Sequence, residues 1–221
     1  MKISGLRCFS KIGGWGMNRV LLVVFAVALL SGSLRANLLT DGSFETPGGG
    51  SGGYGGGSTA LTGWTVINNG LWQIHSGDFG IIAPDGNISL DLTGYNEAPA
   101  ANAPYWGGVE QTIITVPSAI YTIQFDVGSN GGTSSIQVSA GSLSDIAPVT
   151  SVSGVTWATY SSVFTASSTS TTIDLIGYGT QSDLVGLDNV VVELSQVPEP
   201  ACLWLVSVGA ATILLRRRRS V

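Results

Sequence analysis

An all-β fold, a two-sheet β-sandwich of jelly-roll type, is the class the sequence predicts for residues 37–197. Three observations predict it. Apolar and polar residues alternate over short runs, the period of a strand with one buried face. Val, Ile and Thr dominate these runs, and Gly, Asn, Asp and Pro punctuate them. No stretch of this central region carries a convincing helical period.

The elements follow in order. The region opens on a first strand before residue 48. Residues 48–57 (GGGSGGYGGG) hold eight glycines and read as a flexible loop to the second strand that contributes nothing to a core. Strands are expected at Leu61–Ile67 and Leu71–His75. Asn87–Gly94 sets Ile88, Leu90 and Leu92 against Ser89, Asp91 and Thr93. After Val109–Val116, Ala119–Asn130 places Tyr121, Ile123, Phe125 and Val127 on one face and Thr122, Gln124 and Asp126 on the other. Ser134–Gly141 alternates Ile136, Val138 and Ala140 with Gln137 and Ser139. Val155–Ala166 and Thr171–Tyr178 come next, and Asp188–Ser195 closes the set with Val190, Val192 and Leu194 inward. Trp64 and Trp157 fall inside strand patterns and read as core.

Charge is segregated along the 221 residues. Only 10% of the chain is charged, against roughly 25% in an average protein. Residues 1–36 hold five cations and no acid, residues 37–200 hold all 14 acids and no Lys or Arg, and Arg216, Arg217, Arg218 and Arg219 close the chain. A domain without a cationic side chain is excluded as a conventional nucleic-acid binder, because phosphate contacts rest on Lys and Arg. Cys8 and Cys202 both lie in the flanks, so the central region has no disulfide, thiol nucleophile or cysteine metal cluster. The glycine-rich segment lacks the strand–loop–helix setting of a phosphate cradle.

The flanks read as addresses. Val20–Leu30 is an unbroken apolar run preceded by basic and followed by small residues, the pattern of a secretory signal peptide spanning residues 1–36. Cleavage falls after Ala36 or after Ser33, and Met17 is an alternative start. At the other end, residues 198–221 pass from Pro198, Glu199 and Pro200 through a mostly apolar stretch, Ala201–Leu215, to the four arginines. As a helix this stretch would span about 22 Å, short of a hydrocarbon core of roughly 30 Å. The positive-inside rule keeps the arginines cytoplasmic and turns the acidic region outward.

This C-terminal arrangement resembles the PEP-CTERM sorting signal of exported bacterial proteins, carried here by Val197-Pro198-Glu199-Pro200, the apolar run and Arg216–Arg219. The resemblance implies a membrane-held precursor processed by an exosortase-type sorting enzyme and release to the cell surface or an exopolysaccharide matrix. A simple tail anchor is the alternative.

The central region carries a second resemblance. Asn37-Leu38-Leu39-Thr40-Asp41-Gly42-Ser43-Phe44-Glu45, Gly63-Trp64, Gly86-Asn87-Ile88-Ser89-Leu90-Asp91-Leu92, Val109-Glu110-Gln111-Thr112 and Leu187-Asp188-Asn189-Val190 follow one another along the chain. In that order they are similar to the galactose-binding-like jelly rolls of bacterial choice-of-anchor surface proteins and of carbohydrate-binding modules. The resemblance implies a sandwich that binds carbohydrate without catalysis. It also implies a structural Ca²⁺ joining the first strand to the last, with Glu45 and Asp188 as ligands and Asp41 and nearby backbone carbonyls completing the shell. The other reading of these carboxylates is that they cap turns.

The residues themselves offer little to an enzyme. His75 is the one histidine of the chain, and no nucleophile-elbow motif stands near it. Acids are plentiful, but no short-spaced pair on one strand suggests a glycosidase. Aromatic rings are better candidates, since sugar C–H faces stack on apolar walls flanked by a few polar groups. Tyr95, Tyr105 and Trp106 bracket the loop Asn96–Pro104 and are the expected stacking residues, with Trp72 as a further candidate. The expected function is non-catalytic binding of a neutral or cationic polysaccharide. The alternative is a structural matrix protein that binds proteins or itself.

Overall fold

The computed structural model describes residues 36–94, 105–178 and 184–196. The expected signal peptide, the expected sorting segment with Pro198, Glu199, Pro200 and Arg216–Arg219, and Tyr95 with the loop after it lie outside the described residues. No helix among the described residues is long and apolar enough to cross a membrane.

Nine strands make up the described fold: β1 Gly52–Tyr54, β2 Thr65–Asn68, β3 Leu71–His75, β4 Ile88–Asp91, β5 Tyr105–Ile114, β6 Ile120–Ala140, β7 Leu143–Thr165, β8 Ser170–Tyr178 and β9 Val185–Gln196. All pairings are antiparallel, and the path runs β1-β3-β4-β9-β6-β8-β5-β2, with β7 paired to β6. β6 is the element that makes two layers from one path. Its first half pairs with β9, and its second half pairs with β8. The chain folds over at Gly131 and Gly132, whose φ values of 72° and 97° suit glycine, and the register shifts there. β7 follows β6 through the bend, with Gly154 (φ 64°) at the matching place.

The core lies between the layers. Leu71, Leu90, Phe125, Leu187 and Val192 from one layer join Val109, Ile136, Val138, Ile173 and Leu175 from the other in one cluster of buried side chains. Tyr121 and Phe164 stack at 5.2 Å, and Phe125 meets Tyr160 at 5.0 Å. The inward residues expected for β4, β6 and β9 are buried or, at Leu194, half-buried against the core, and around β4 Ser89, Asp91 and Thr93 on the other face are buried as well.

Four features differ from the sequence reading. Residues 36–46 form no strand; they run beside β9 as a bent segment held by Leu38 N–H donating to Val192 O (2.8 Å). The glycine-rich segment is not a free loop, because β1 lies inside it and Tyr54 packs on the core. Buried Gln73 anchors this segment by donating from Nε2 to Gly50 O (3.1 Å). The strand expected at Leu61–Ile67 begins only at Thr65, after a turn in which Trp64 N–H donates to Leu61 O. Finally, Leu143–Gly154 belongs to a strand that the sequence hides. Its inward residues are small (Ala147, Val149, Ser151), and Pro148 reads as a break. Proline is tolerated because β7 pairs on one side only.

Candidate functional site

The opening motif is a clasp across the sandwich. The Asn37 side chain donates to Val190 O (3.0 Å) and accepts the amides of Leu39 (3.1 Å) and Val192 (2.9 Å). Gln111 holds both backbone groups of Thr40, at 2.7 Å and 3.0 Å. Gly42 O accepts the Val190 amide, and a Cβ on Gly42 would lie 1.9 Å from Val190 O, so only glycine fits. Phe44 is fully buried against Trp64 at 5.3 Å, and the Trp64 indole donates to Asp41 O (2.9 Å).

The three carboxylates expected as calcium ligands hold backbone amides. Asp41 Oδ2 accepts Thr46 N–H (3.0 Å). Glu45 Oε1 accepts Asn87 and Ile88 N–H (2.7 and 2.8 Å). Asp188 accepts Asp85 N–H on Oδ2 (3.1 Å) and Asn189 N–H on Oδ1 (2.7 Å). Asp41 sits within the influence of Glu45, whereas the charges that reach Asp188 are those of Asp85 and Asp126. Burial raises the Asp41 carboxyl above its ordinary range, against the pull of the Thr46 and Glu45 amides. Among the described residues no group of three or more His, Cys, Asp or Glu side chains is placed to hold a metal ion. Asp41, Glu45 and Asp188 are thus not gathered into one such group, and the turn 85–88 joins the opening segment to the last strand through the amides that Glu45 and Asp188 accept. Glu45→Ala should lower stability by about 1.5–3 kcal/mol, the range for hydrogen bonds to a charged group. Thermal unfolding should show the same loss in calcium and in chelator; a wild-type midpoint that falls on chelation would show that a cation takes part.

A different part of the molecule presents aromatic rings. Register places Trp72, Asp91, Gly186, Gly128 and Trp157 in one row across β3, β4, β9, β6 and β7. Cross-strand partners share a face, and this face points away from the core. The two glycines leave a trough, and the Trp157 ring fills it. A Cβ on Gly186 would stand 2.5 Å from Trp157 Cη2, and one on Gly128 would stand 2.7 Å from Trp157 Cζ3. The ring thus lies against bare backbone of two strands. Trp72 and Trp157 are half-buried, and both pack on a small cluster of Ile74, Ile81 and Leu184. Trp157 Nε1 is buried without a hydrogen-bond partner.

The loop before β4 forms a rim. It buries Ile81 and Ala83 against the sheet and leaves Phe79 and Ile82 exposed at 77% and 63%. Along β6 from the row lies Asp126, which accepts Thr159 Oγ1–H (2.6 Å) and Asn189 Nδ2–H (3.2 Å) and pairs in register with Asp188. Farther on, Thr122, Gln124, Val191 and Glu193 line an open depression of about 260 Å³. Gly128 to Thr122 is six residues of strand, about 20 Å.

The expected stacking residues fare differently. Trp106 is buried at 8% exposure near the start of β5, so its ring does not stand free. Tyr105 opens β5 opposite Tyr178, and Tyr95 lies outside the described residues. Trp72 is on the open face, and Trp157, read from the sequence as core, joins it there. His75 is exposed, with Nδ1 3.1 Å from Ser76 O.

Fold and face together define a β-sandwich domain with an aromatic, cation-free open surface. The chain belongs to the family described as a protein of unknown function, DUF642, whose model matches residues 37–192. No curated protein matches it. Among solved structures it is similar to TmCBM61 in complex with β-1,4-galactotriose, with 17% identity, TM-score 0.48 and coverage of 72% of this chain and 99% of that one. It is also similar to the CBM22-1 xylan-binding domain of Paenibacillus barcinonensis Xyn10C, with 15% identity, TM-score 0.42 and coverage of 67% and 94%. A family 35 carbohydrate binding module from Clostridium thermocellum matches with 13% identity, TM-score 0.40 and coverage of 65% and 98%.

Proposed function

We propose that this is an exported bacterial surface or matrix protein whose sandwich binds a neutral or cationic polysaccharide without chemistry. The observation that carries the reading is the Trp157 ring laid over Gly128 and Gly186, with Trp72 on the same face. A flat ring backed by bare sheet offers the apolar floor that a sugar face needs. The face continues for about 20 Å into the Gln124–Glu193 depression, room for several linked sugars. Thirteen carboxylates from Asp41 to Glu193, with no Lys or Arg among them, set the sign of the polymer. Export, exosortase sorting and a membrane-held precursor belong to the same proposal and are supported by the two flanking sequence patterns.

The test is affinity electrophoresis of the protein in gels containing neutral glucan, xylan, galactan or chitosan, beside gels containing an acidic alginate. Retardation in at least one neutral or cationic gel and none in alginate is expected. Equal mobility in every gel would leave the structural-matrix reading in its place.

A further inference from the structure

Among the described residues, one end of the sandwich carries no charge. Three connections meet there: residues 114–120 between β5 and β6, residues 140–143 between β6 and β7, and residues 165–170 between β7 and β8. They are tied to one another by Ser118 N–H donating to Ala166 O (2.8 Å), Thr115 N–H to Thr169 O (3.0 Å) and Ser142 N–H to Thr165 O (3.2 Å). The end of β9 joins them, since Gln196 pairs with Ile120. Not one residue of 113–120, 140–143, 165–170 or 194–196 is Asp, Glu, Lys, Arg or His. In a domain this rich in carboxylates, the first ones met along the strands are Asp145 and Glu193. The end is also where large apolar side chains stand in water: Ile114 is 87% exposed and Val116 is 49% exposed.

The described residues end here, at Gln196. Ala201, where the apolar stretch begins, is five steps of chain beyond Gln196, with four residues between them. Fully extended, five steps reach about 17 Å. Wherever Ala201–Leu215 enters a bilayer, the uncharged end is therefore the part of the domain that must lie near the lipid. An anionic leaflet repels carboxylates, and it meets none on this surface. Ile114 and Val116 are too few to hold a free domain on lipid, but a short tether raises their local concentration at the surface.

We infer that the charge-free end built by residues 113–120, 140–143 and 165–170 is a docking surface for the lipid bilayer while the C-terminal segment holds the chain. The inference rests on the membrane-held precursor proposed above. It fixes the orientation of the domain: the strands stand off the membrane, and the opposite end, with Val152 98% exposed, points away.

The test uses the full chain with Cys8→Ser and Cys202→Ser, reconstituted into vesicles of phosphatidylethanolamine and phosphatidylglycerol. A fluorophore is placed at Ile114→Cys, Val116→Cys or, as the far-end control, Val152→Cys. Flotation reports whether the chain is held by lipid, and a nitroxide carried on the upper acyl chain reports contact. Dyes at 114 and 116 should lose most of their emission to the nitroxide, and the dye at 152 should keep its own. If the chain floats and all three dyes are quenched equally weakly, the docking surface is overturned and the tether stands. If the chain does not float, the membrane-held precursor fails and the inference fails with it. If Ile114→Cys instead cross-links to a second copy and escapes the nitroxide, the surface belongs to self-association, and the lipid assignment is overturned.

Discussion

Gly186→Ala should weaken polysaccharide binding nearly as much as Trp157→Ala does. The added methyl would stand 2.5 Å from Trp157 Cη2 and 2.9 Å from Gly128 Cα, so the ring must lift from the sheet. Removal of a central aromatic contact of this kind costs about 2 kcal/mol or more, which is more than about tenfold in the dissociation constant. The comparison separates chemistry from geometry, because Gly186→Ala keeps the indole and displaces it. Gly52→Ala, where an added Cβ meets nothing within 4 Å, is the control. Affinity electrophoresis gives the binding, and unfolding midpoints confirm that each variant is folded. Folded Trp157→Ala and Gly186→Ala that bind as wild type does would move the site off this face.

Stability should fall as pH rises from about 4 to about 7 and then level off. Burial pushes the Asp188 carboxyl up to about 7 from an ordinary 3.8, and the charges of Asp85 and Asp126 push the same way, while the Asp85 and Asn189 amides pull against them. The sign follows from proton counting. Between the two values the unfolded chain has released the Asp188 proton and the folded protein keeps it, so each increase in pH favours unfolding. The contribution is fully present below the unfolded value and is lost by the folded one. Its size is on the order of a few kcal/mol. Asp41, raised by burial, adds to the same trend. The measurement is denaturant unfolding across that pH range in chelator. Asp188→Asn should flatten the profile. A wild-type profile that is already flat would show that the carboxyl stays ionised in its place, as it would beside a cation.

The periodicity of the strands was legible because it is local. Ile88, Leu90 and Leu92, the Tyr121–Val127 set and the Val190–Leu194 set are inward in the structure as their alternation requires. So was the weight of the opening motif, in which Asn37, Gly42, Phe44 and Glu45 each make a contact across the fold. The sequence alone also determined the acidic, cation-free character of the domain and the uncharged composition of the turns at its C-terminal end.

The aromatic face was not legible in the same way. Val155–Ala166 carries apolar residues at both parities, with Trp157 and Val163 on one face and Tyr160 and Phe164 on the other. Alternation could not say which of these faces was the core. Trp106 illustrates the reverse: it adjoins a segment with no strand pattern, yet it is buried in β5. Even the bend of β6 needed its partners, since Gly131 and Gly132 look like a hairpin turn until β7 is seen to follow them. Trp157 acquires its place from two glycines that are 29 and 29 residues distant on either side in sequence, Gly128 and Gly186, brought together under its ring by the pairing of three strands. A single strand specifies only that neighbouring side chains point to opposite faces. Which residues of other strands lie beside them depends on register, and register is settled by the whole core closing at once.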